Sequence, residues 1–272
     1  MMTNNGVAMT VSQAAELQAV MAFSVRTGGK SPHPMDSLNF SVSQGDSREN
    51  VLHNLAVFGA FVGVDPNRIA TCRQVHKDNV ALIDEVPSSL PEADAIVSLR
   101  PGVFPAIKTA DCLAILLLDP VNKISAAIHA GWRGTALGIT GKVTQFLMDR
   151  FGTDPGNLVA SLGPAIGPCC YEVDEVALGP FRANVPDAER FISVKEVPVR
   201  GRSSIRKSYR LDLEAANQAA LLSAGLPAEN IYTAGMCTCC NSDLFYSYRR
   251  DGARSGRHIA VVGFKNDDPR AA

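Results

Sequence analysis

Apolar positions follow two different periods along this chain, and the two predict different elements. Residues 47–62 set Val51, Leu55, Val57, Phe58 and Phe61 near helical spacing. Residues 135–151 repeat the pattern with Ile139, Val143, Phe146, Leu147 and Phe151, and Gly152 follows as a stop. Asp212 is placed to cap a third helix reaching Ala224, ended by Gly225 with Pro227 beyond. Between these lie short continuous apolar runs at 80–83, 115–118, 124–129, 158–162, 231–234 and 258–264. Runs without alternation predict strands covered on both faces. The polar stretches 28–47 and 200–207 (RGRSSIRK) predict loops, the second basic and most simply a solvated surface. Strands and helices mixed along the chain predict an α/β or α+β domain, without giving the strand order.

Composition narrows the class. With 272 residues, 46% of them hydrophobic, and a formal net charge of −1, the chain is not disordered and can bury a sizeable core. No run approaches the ~20 apolar residues of a membrane-spanning helix. Residues 1–20 lack the basic segment followed by an apolar stretch that marks a signal peptide. The expectation is a soluble, cytoplasmic protein with no membrane or nucleic-acid partner. Seven Cys in that compartment read as thiols, metal ligands or a nucleophile rather than a disulfide framework.

Residues suited to chemistry crowd into three segments: Gln74-Val75-His76, Thr109-Ala110-Asp111-Cys112 and His129-Ala130-Gly131-Trp132-Arg133-Gly134. In the third, glycines at a strand-to-helix junction allow close backbone approach to a ligand. The following helix start and the Arg133 fork suit an anion. An ordinary tight turn with a core Trp accounts for the same residues. His76, Cys112 and His129 form a ligand set known for catalytic zinc, with a fourth position open. A Cys–His nucleophilic pair, or two structural His and a buried thiol, would use the same side chains. Cys169-Cys170 and Cys237, Cys239 and Cys240 form a second group. A C-x-x-C at Cys237 and Cys240 is half a zinc site or a redox pair. Neighbouring residues such as Cys169 and Cys170 rarely aim at one ion, so thiols packed beside the cleft are the simpler expectation. No Walker loop, G-x-G-x-x-G or G-x-S-x-G is present.

Eight segments, in order, resemble the bacterial polyphenol-oxidoreductase or laccase-domain family, now regarded as purine nucleoside phosphorylases and including peptidoglycan editing factors. They are FSVRTGG (23–29), SLNF (37–40), QVH (74–76), TADC (109–112), HAGWRG (129–134), GPAIGPCCYEV (163–173), CTCC (237–240) and DLFYSYRRDG (243–252). Departures are Lys77-Asp78 where Gly is frequent, Val25 where Thr is usual, and the 200–207 stretch, which matches no motif.

The resemblance implies an α+β fold: one domain over 1–272 with two mixed β-sheets packed together and helices outside, an α/β/β/α layered sandwich. The motif-bearing core runs over about 23–264, with 1–20 loosely attached. It implies His76, Cys112 and His129 as metal ligands, with Zn2+ bound and Cu2+ a further option. It implies phosphorolysis of adenosine, inosine or 5′-methylthioadenosine together with adenosine deamination. Hydrolysis of L-Ser from a UDP-MurNAc precursor and copper-dependent phenol oxidation are the alternatives. The partners expected are a nucleoside and phosphate, or that precursor, bound to a monomer or small homo-oligomer. Residue chemistry adds Asp111 and Arg133 to Cys112 as catalytic candidates. It also marks Arg26, Asn39, Gln74, Trp132 and Arg249 as substrate contacts.

Overall fold

The computed structural model describes residues 2–4, 6–198 and 205–266. Its first half holds β1 (Met2–Asn4), β2 (Ala8–Val11), α1 (Ser12–Glu16), β3 (Ala19–Ser24), α2 (Arg48–Val62), β4 (Ile69–Ala70), β5 (Val80–Ile83), β6 (Ala95–Ser98), β7 (Phe104–Thr109), β8 (Leu113–Asp119) and β9 (Ile124–Ala130). The second half holds α3 (Trp132–Ala136), α4 (Ile139–Phe151), β10 (Val159–Leu162), β11 (Glu172–Val173), α5 (Glu175–Asn184), β12 (Ile192–Pro198), β13 (Ile205–Leu211), α6 (Leu213–Ser223), β14 (Ile231–Thr233), α7 (Tyr248–Asp251) and β15 (His258–Phe264).

Two six-stranded sheets form the centre, ordered β1-β2-β3-β15-β7-β4 and β14-β10-β8-β9-β6-β5. Both are mixed: β4 runs parallel to β7, β5 to β6 and β10 to β14, while the other pairs are antiparallel. The layering follows from the apolar runs. In β8, Leu113, Ile115 and Leu117 pack with Ile139, Val143 and Leu147 of α4 and Leu221 of α6. Ala114, Leu116 and Leu118, pointing the other way, pack with Met21 and Phe23 of β3 and Val262 of β15. A strand buried on both faces needs no polar side, which is why its sequence does not alternate. The far face of the first sheet, with Val20, Ala22 and Val261, is covered by Phe58 of α2. The result is the expected α/β/β/α sandwich. A small antiparallel sheet, β11-β13-β12, sits beside it with α3 and α5.

Local chemistry sets the helix ends. Ser47 Oγ accepts the Asn50 N–H at the start of α2, and Gly63 ends it at φ +71°. Asp212 caps α6 through the Ala215 N–H. The helix expected over 135–151 is in fact two, α3 and α4. Gly138, at φ +74°, breaks the chain between them, a conformation that glycine adopts without a Cβ penalty. Apolar periodicity does not register such a break. Of residues 1–20, expected to hang loosely, the described ones, 2–4 and 6–20, instead supply β1, β2, α1 and the start of β3, with Ala8, Met9, Val11 and Ala14 buried. Of the basic loop expected at 200–207, Ile205, Arg206 and Lys207 belong to β13, paired with Pro198, Val197 and Glu196; the remainder lies outside the described residues.

One buried polar group ties the first sheet to the C-terminal motif. His258 Nε2 accepts the Tyr246 N–H at 2.8 Å, and its Nδ1 lies 3.3 Å from Ser24 Oγ. Burial, aided by the positive charge of Arg26, pushes the imidazole down to about 3. The unfolded chain titrates this group near 6.5, so below that pH the unfolded state takes up a proton that the folded state refuses. Stability from this group is present above about 6.5 and falls by ~1.4 kcal/mol per pH unit on acidification towards 3. Urea midpoints at pH 7 and pH 4.5 should therefore drop more for the native chain than for His258→Gln; equal drops would contradict this account.

Candidate metal centre and the adjoining groove

Three segments meet at one end of the second sheet. Cys112 precedes β8 and His129 lies near the end of β9, whose antiparallel register sets Ala114 opposite His129. His76 comes from the connection between β4 and β5. One donor atom from each of His76, Cys112 and His129 lies within 4.8 Å of the other two. The two imidazoles meet edge to face with centroids 4.8 Å apart. Gly131 makes room for this: a Cβ there would sit 2.9 Å from Cys112 Sγ and 3.5 Å from His76 Nδ1.

Asp94 holds the site together. The side chain is fully buried, at the mouth of β6. Its oxygens accept the Val75, His76 and Lys77 N–H groups at 3.1, 3.0 and 2.8 Å and face His129 Nδ1 at 2.8 Å. Its carbonyl accepts the His129 N–H. His76 takes a left-handed φ of +57°, unusual for a residue with a side chain, and the successive N–H groups around it converge on the carboxylate. Burial opposes the charge of Asp94, but hydrogen bonds from His129, Lys77 and Val75 hold its carboxyl below the ordinary range. Burial would likewise raise the Cys112 thiol. The His129 charge and hydrogen bonds from both imidazoles prevail and bring it down to about 6. The His129 imidazole, whose charge burial disfavours, is raised to about 9 by the Cys112 thiolate and Asp94.

This donor set fits a metal. Two imidazoles and a thiolate match a catalytic zinc site, and a carboxylate on the far nitrogen of a ligating His is the usual outer partner. Cys112 is half-buried and His76 exposed, so one side of the triad is open.

A groove of about 650 Å3 lies alongside, lined by Trp132, Arg133, Tyr171, Lys207 and Arg249 among others. The Arg133 guanidinium stacks over the Trp132 ring at 4.3 Å. Among the described residues, neither Arg133 nor Lys207 has an ion-pair partner, whereas Arg206 pairs with Glu172. Arg249 donates to the Cys170 and Glu172 carbonyls and lies over Tyr171. Both Asp111 oxygens are engaged: Thr238 Oγ1 donates at 2.6 Å and the Arg249 N–H at 2.7 Å. Asp111 therefore anchors the wall of the groove.

Three residues expected to contact substrate make hydrogen bonds within the protein. Asn39 is fully buried, with its amide spent on the Ser41 carbonyl, Asp46 and the Arg257 N–H. Arg26 donates to the Asp36 and Ser242 carbonyls and stacks on Tyr246. Gln74 is bonded at both ends to the backbone of Lys108. Polar residues in motif-dense segments give no sign in sequence of such internal bonds. Conversely, Asp94, Tyr171 and Lys207 escaped the sequence reading. The only mark of Asp94 is a carboxylate directly before an apolar run.

Comparison with known proteins follows the same lines. A purine nucleoside phosphorylase, YlmD, from Geobacillus stearothermophilus is 33% identical over 92% of this chain and 91% of its own length. An adenosine deaminase, RL5, from an unknown prokaryotic organism is 32% identical over 92% of this chain and 95% of its own. The crystal structure of YlmD from Geobacillus stearothermophilus superposes with a TM-score of 0.85 at 31% identity, covering 97% of this chain and 98% of that one. Residues 20–265 match the family model described as multi-copper polyphenol oxidoreductase laccase, and the chain belongs to that family.

Proposed function

We propose that this protein is a zinc-dependent purine nucleoside phosphorylase that also deaminates adenosine. Its substrates would be adenosine, inosine or 5′-methylthioadenosine with phosphate, and its products a free base and a sugar 1-phosphate. One observation carries the reading: an open His76–Cys112–His129 triad beside a groove that offers ring surface and two cations, Arg133 and Lys207, with no ion pair or side-chain hydrogen bond among the described residues. The names of the relatives, phosphorylase and deaminase, support it.

The residues divide the work. His76, Cys112 and His129 would hold the metal, with Asp94 fixing the tautomer and direction of His129. Such an ion supplies Lewis acidity and a nucleophile near neutral pH, the chemistry needed at C6 of adenine. In phosphorolysis a phosphate oxygen bonds to C1′ while the C1′–N9 bond breaks, and the electron pair leaves on the purine, which takes up a proton. Arg133 and Lys207 would hold the phosphate and offset its charge in the transition state. Trp132 and Tyr171 give the purine an aromatic surface. Asp111 keeps Thr238 and the Arg249 backbone in place through its two hydrogen bonds.

A multicopper oxidase centre lacks the ligands it would need. His33 and His53 are exposed and separate, and His258 is buried against Ser24 and Tyr246, so of the five His only two meet. The single triad would still accept Cu(II), which outcompetes zinc at most nitrogen and sulfur sites.

Product analysis of the zinc-loaded enzyme on a nucleoside panel, with and without phosphate, tests the reading. Base and sugar 1-phosphate should appear only with phosphate, and inosine from adenosine in either case. Untouched nucleosides alongside release of L-Ser from UDP-MurNAc-L-Ser would replace it with the cell-wall reading. Cys112→Ala should lose the zinc of this site and turnover together. Asp94→Asn should fold and bind zinc about 10- to 100-fold more weakly, measured by chelator competition. Removing one charged hydrogen-bond partner costs ~1.5–3 kcal/mol. Arg133→Ala should therefore raise the KM for phosphate by about tenfold or more, leaving phosphate-independent deamination near its native rate.

A further inference from the structure

Four cysteines outside the triad also converge. Cys169 and Cys170 lie in the turn before β11, and Cys237 and Cys240 in the turn after β14. Their four Sγ atoms all lie within 4.8 Å of one another. Cys240 Sγ is 3.5 Å from Cys169 Sγ and 3.4 Å from Cys170 Sγ. Sulfurs bound tetrahedrally at the zinc–thiolate distance of about 2.3 Å stand ~3.8 Å apart, which is the spacing these four bracket. Adjacent cysteines seldom share an ion. Here the turn that bonds the Cys170 and Tyr171 N–H groups to the Gly167 carbonyl brings both sulfurs to the same side.

We infer that Cys169, Cys170, Cys237 and Cys240 form a second, closed metal site, a structural tetrathiolate zinc centre distinct from the His76–Cys112–His129 triad.

The surroundings match that chemistry. The Gly167 N–H donates to Cys237 Sγ at 3.3 Å, an amide-to-thiolate bond of the kind that stabilises charge on sulfur. Gly167 itself packs tightly: a Cβ there would meet Cys169 Sγ and Cys237 Cβ at 3.4 Å. Binding takes up one Zn2+ and releases four thiol protons, leaving a net charge of −2 on the centre. Three guanidinium groups border it. Arg210 donates to the Cys169 carbonyl, Arg249 to the Cys170 carbonyl, and Arg250 to the Thr238 and Cys239 carbonyls. The two turns also flank the triad. Ala165 forms a bridge with Cys237, the Ile166 N–H donates to the Asp111 carbonyl, and Thr238 donates to the Asp111 side chain. An ion clamping the turns would fix the wall of the groove without touching substrate. This inference is independent of which substrate the groove takes.

Metal analysis after purification under reducing conditions tests it. The native chain should carry two zinc ions, Cys112→Ala one, and the Cys237→Ser/Cys240→Ser double variant one. Cys239→Ser, outside the four, should keep both. Should the double variant fail to fold, Cys112→Ala decides alone, because its cluster is intact. Loaded with cobalt(II), it should show intense thiolate-to-cobalt charge-transfer bands. Its four cluster thiols should resist a thiol reagent until a chelator is added. A Cys112→Ala protein without metal, cluster thiols that react at once in the metal-loaded protein, or recovery of these cysteines as disulfides would overturn the inference. None of these readouts depends on nucleoside turnover, so failure here is separate from failure of the phosphorylase reading.

Discussion

The site depends on one buried carboxylate. Asp94 collects the N–H groups of Val75, His76 and Lys77 and orients His129 from the other side, so that two segments far apart in the chain share one anchor. A fully buried charge is tolerable only when its hydrogen-bonding capacity is used, and here four donors use it. The same bonds hold His76 in a left-handed conformation that a chain free to relax would leave. Without Asp94, His76 would have no reason to face His129, and Cys112 would have one imidazole rather than two.

The layered fold supplies the rigidity behind that anchor. Leu113, Ile115 and Leu117 face the helices while Ala114, Leu116 and Leu118 face the other sheet. A strand gripped on both sides cannot slip register without moving every apolar side chain to the wrong face. Cys112 and His129 sit at the ends of two such strands, β8 and β9, and inherit their fixed positions. On the groove side, β11, β13 and α5 form a smaller unit around Phe181 and Leu211.

Asp111 joins the triad to the four-cysteine cluster. It stands next to Cys112 in sequence and accepts hydrogen bonds from Thr238 and Arg249, on the segments that carry Cys237 to Cys240 and the arginine-rich motif. The arginines of that motif serve mainly as braces, spending their donors on backbone carbonyls. Among the described residues, Arg133 and Lys207 are the groove cations with no ion pair or side-chain hydrogen bond. Lys207 comes from a stretch that matched no motif and read as surface.

The linear chain was enough to place the triad in its motifs, the main helices and the two-faced strands, because those properties are local: a period, a cap, a cluster of ligand-type residues. Donor chemistry made His76, Cys112 and His129 candidates, and the resemblance of their motifs to a known family singled them out as ligands. That Asn39, Arg26 and Gln74 bond to backbone carbonyls emerged only when the sheets packed, since a polar side chain reads the same in any setting. Asp94 stayed hidden for the same reason. The convergence of Cys169, Cys170, Cys237 and Cys240 needed the turn at Gly167 and the Ala165–Cys237 bridge, contacts between segments about seventy residues apart. Local composition set which atoms could bind; long-range register determined which of them meet.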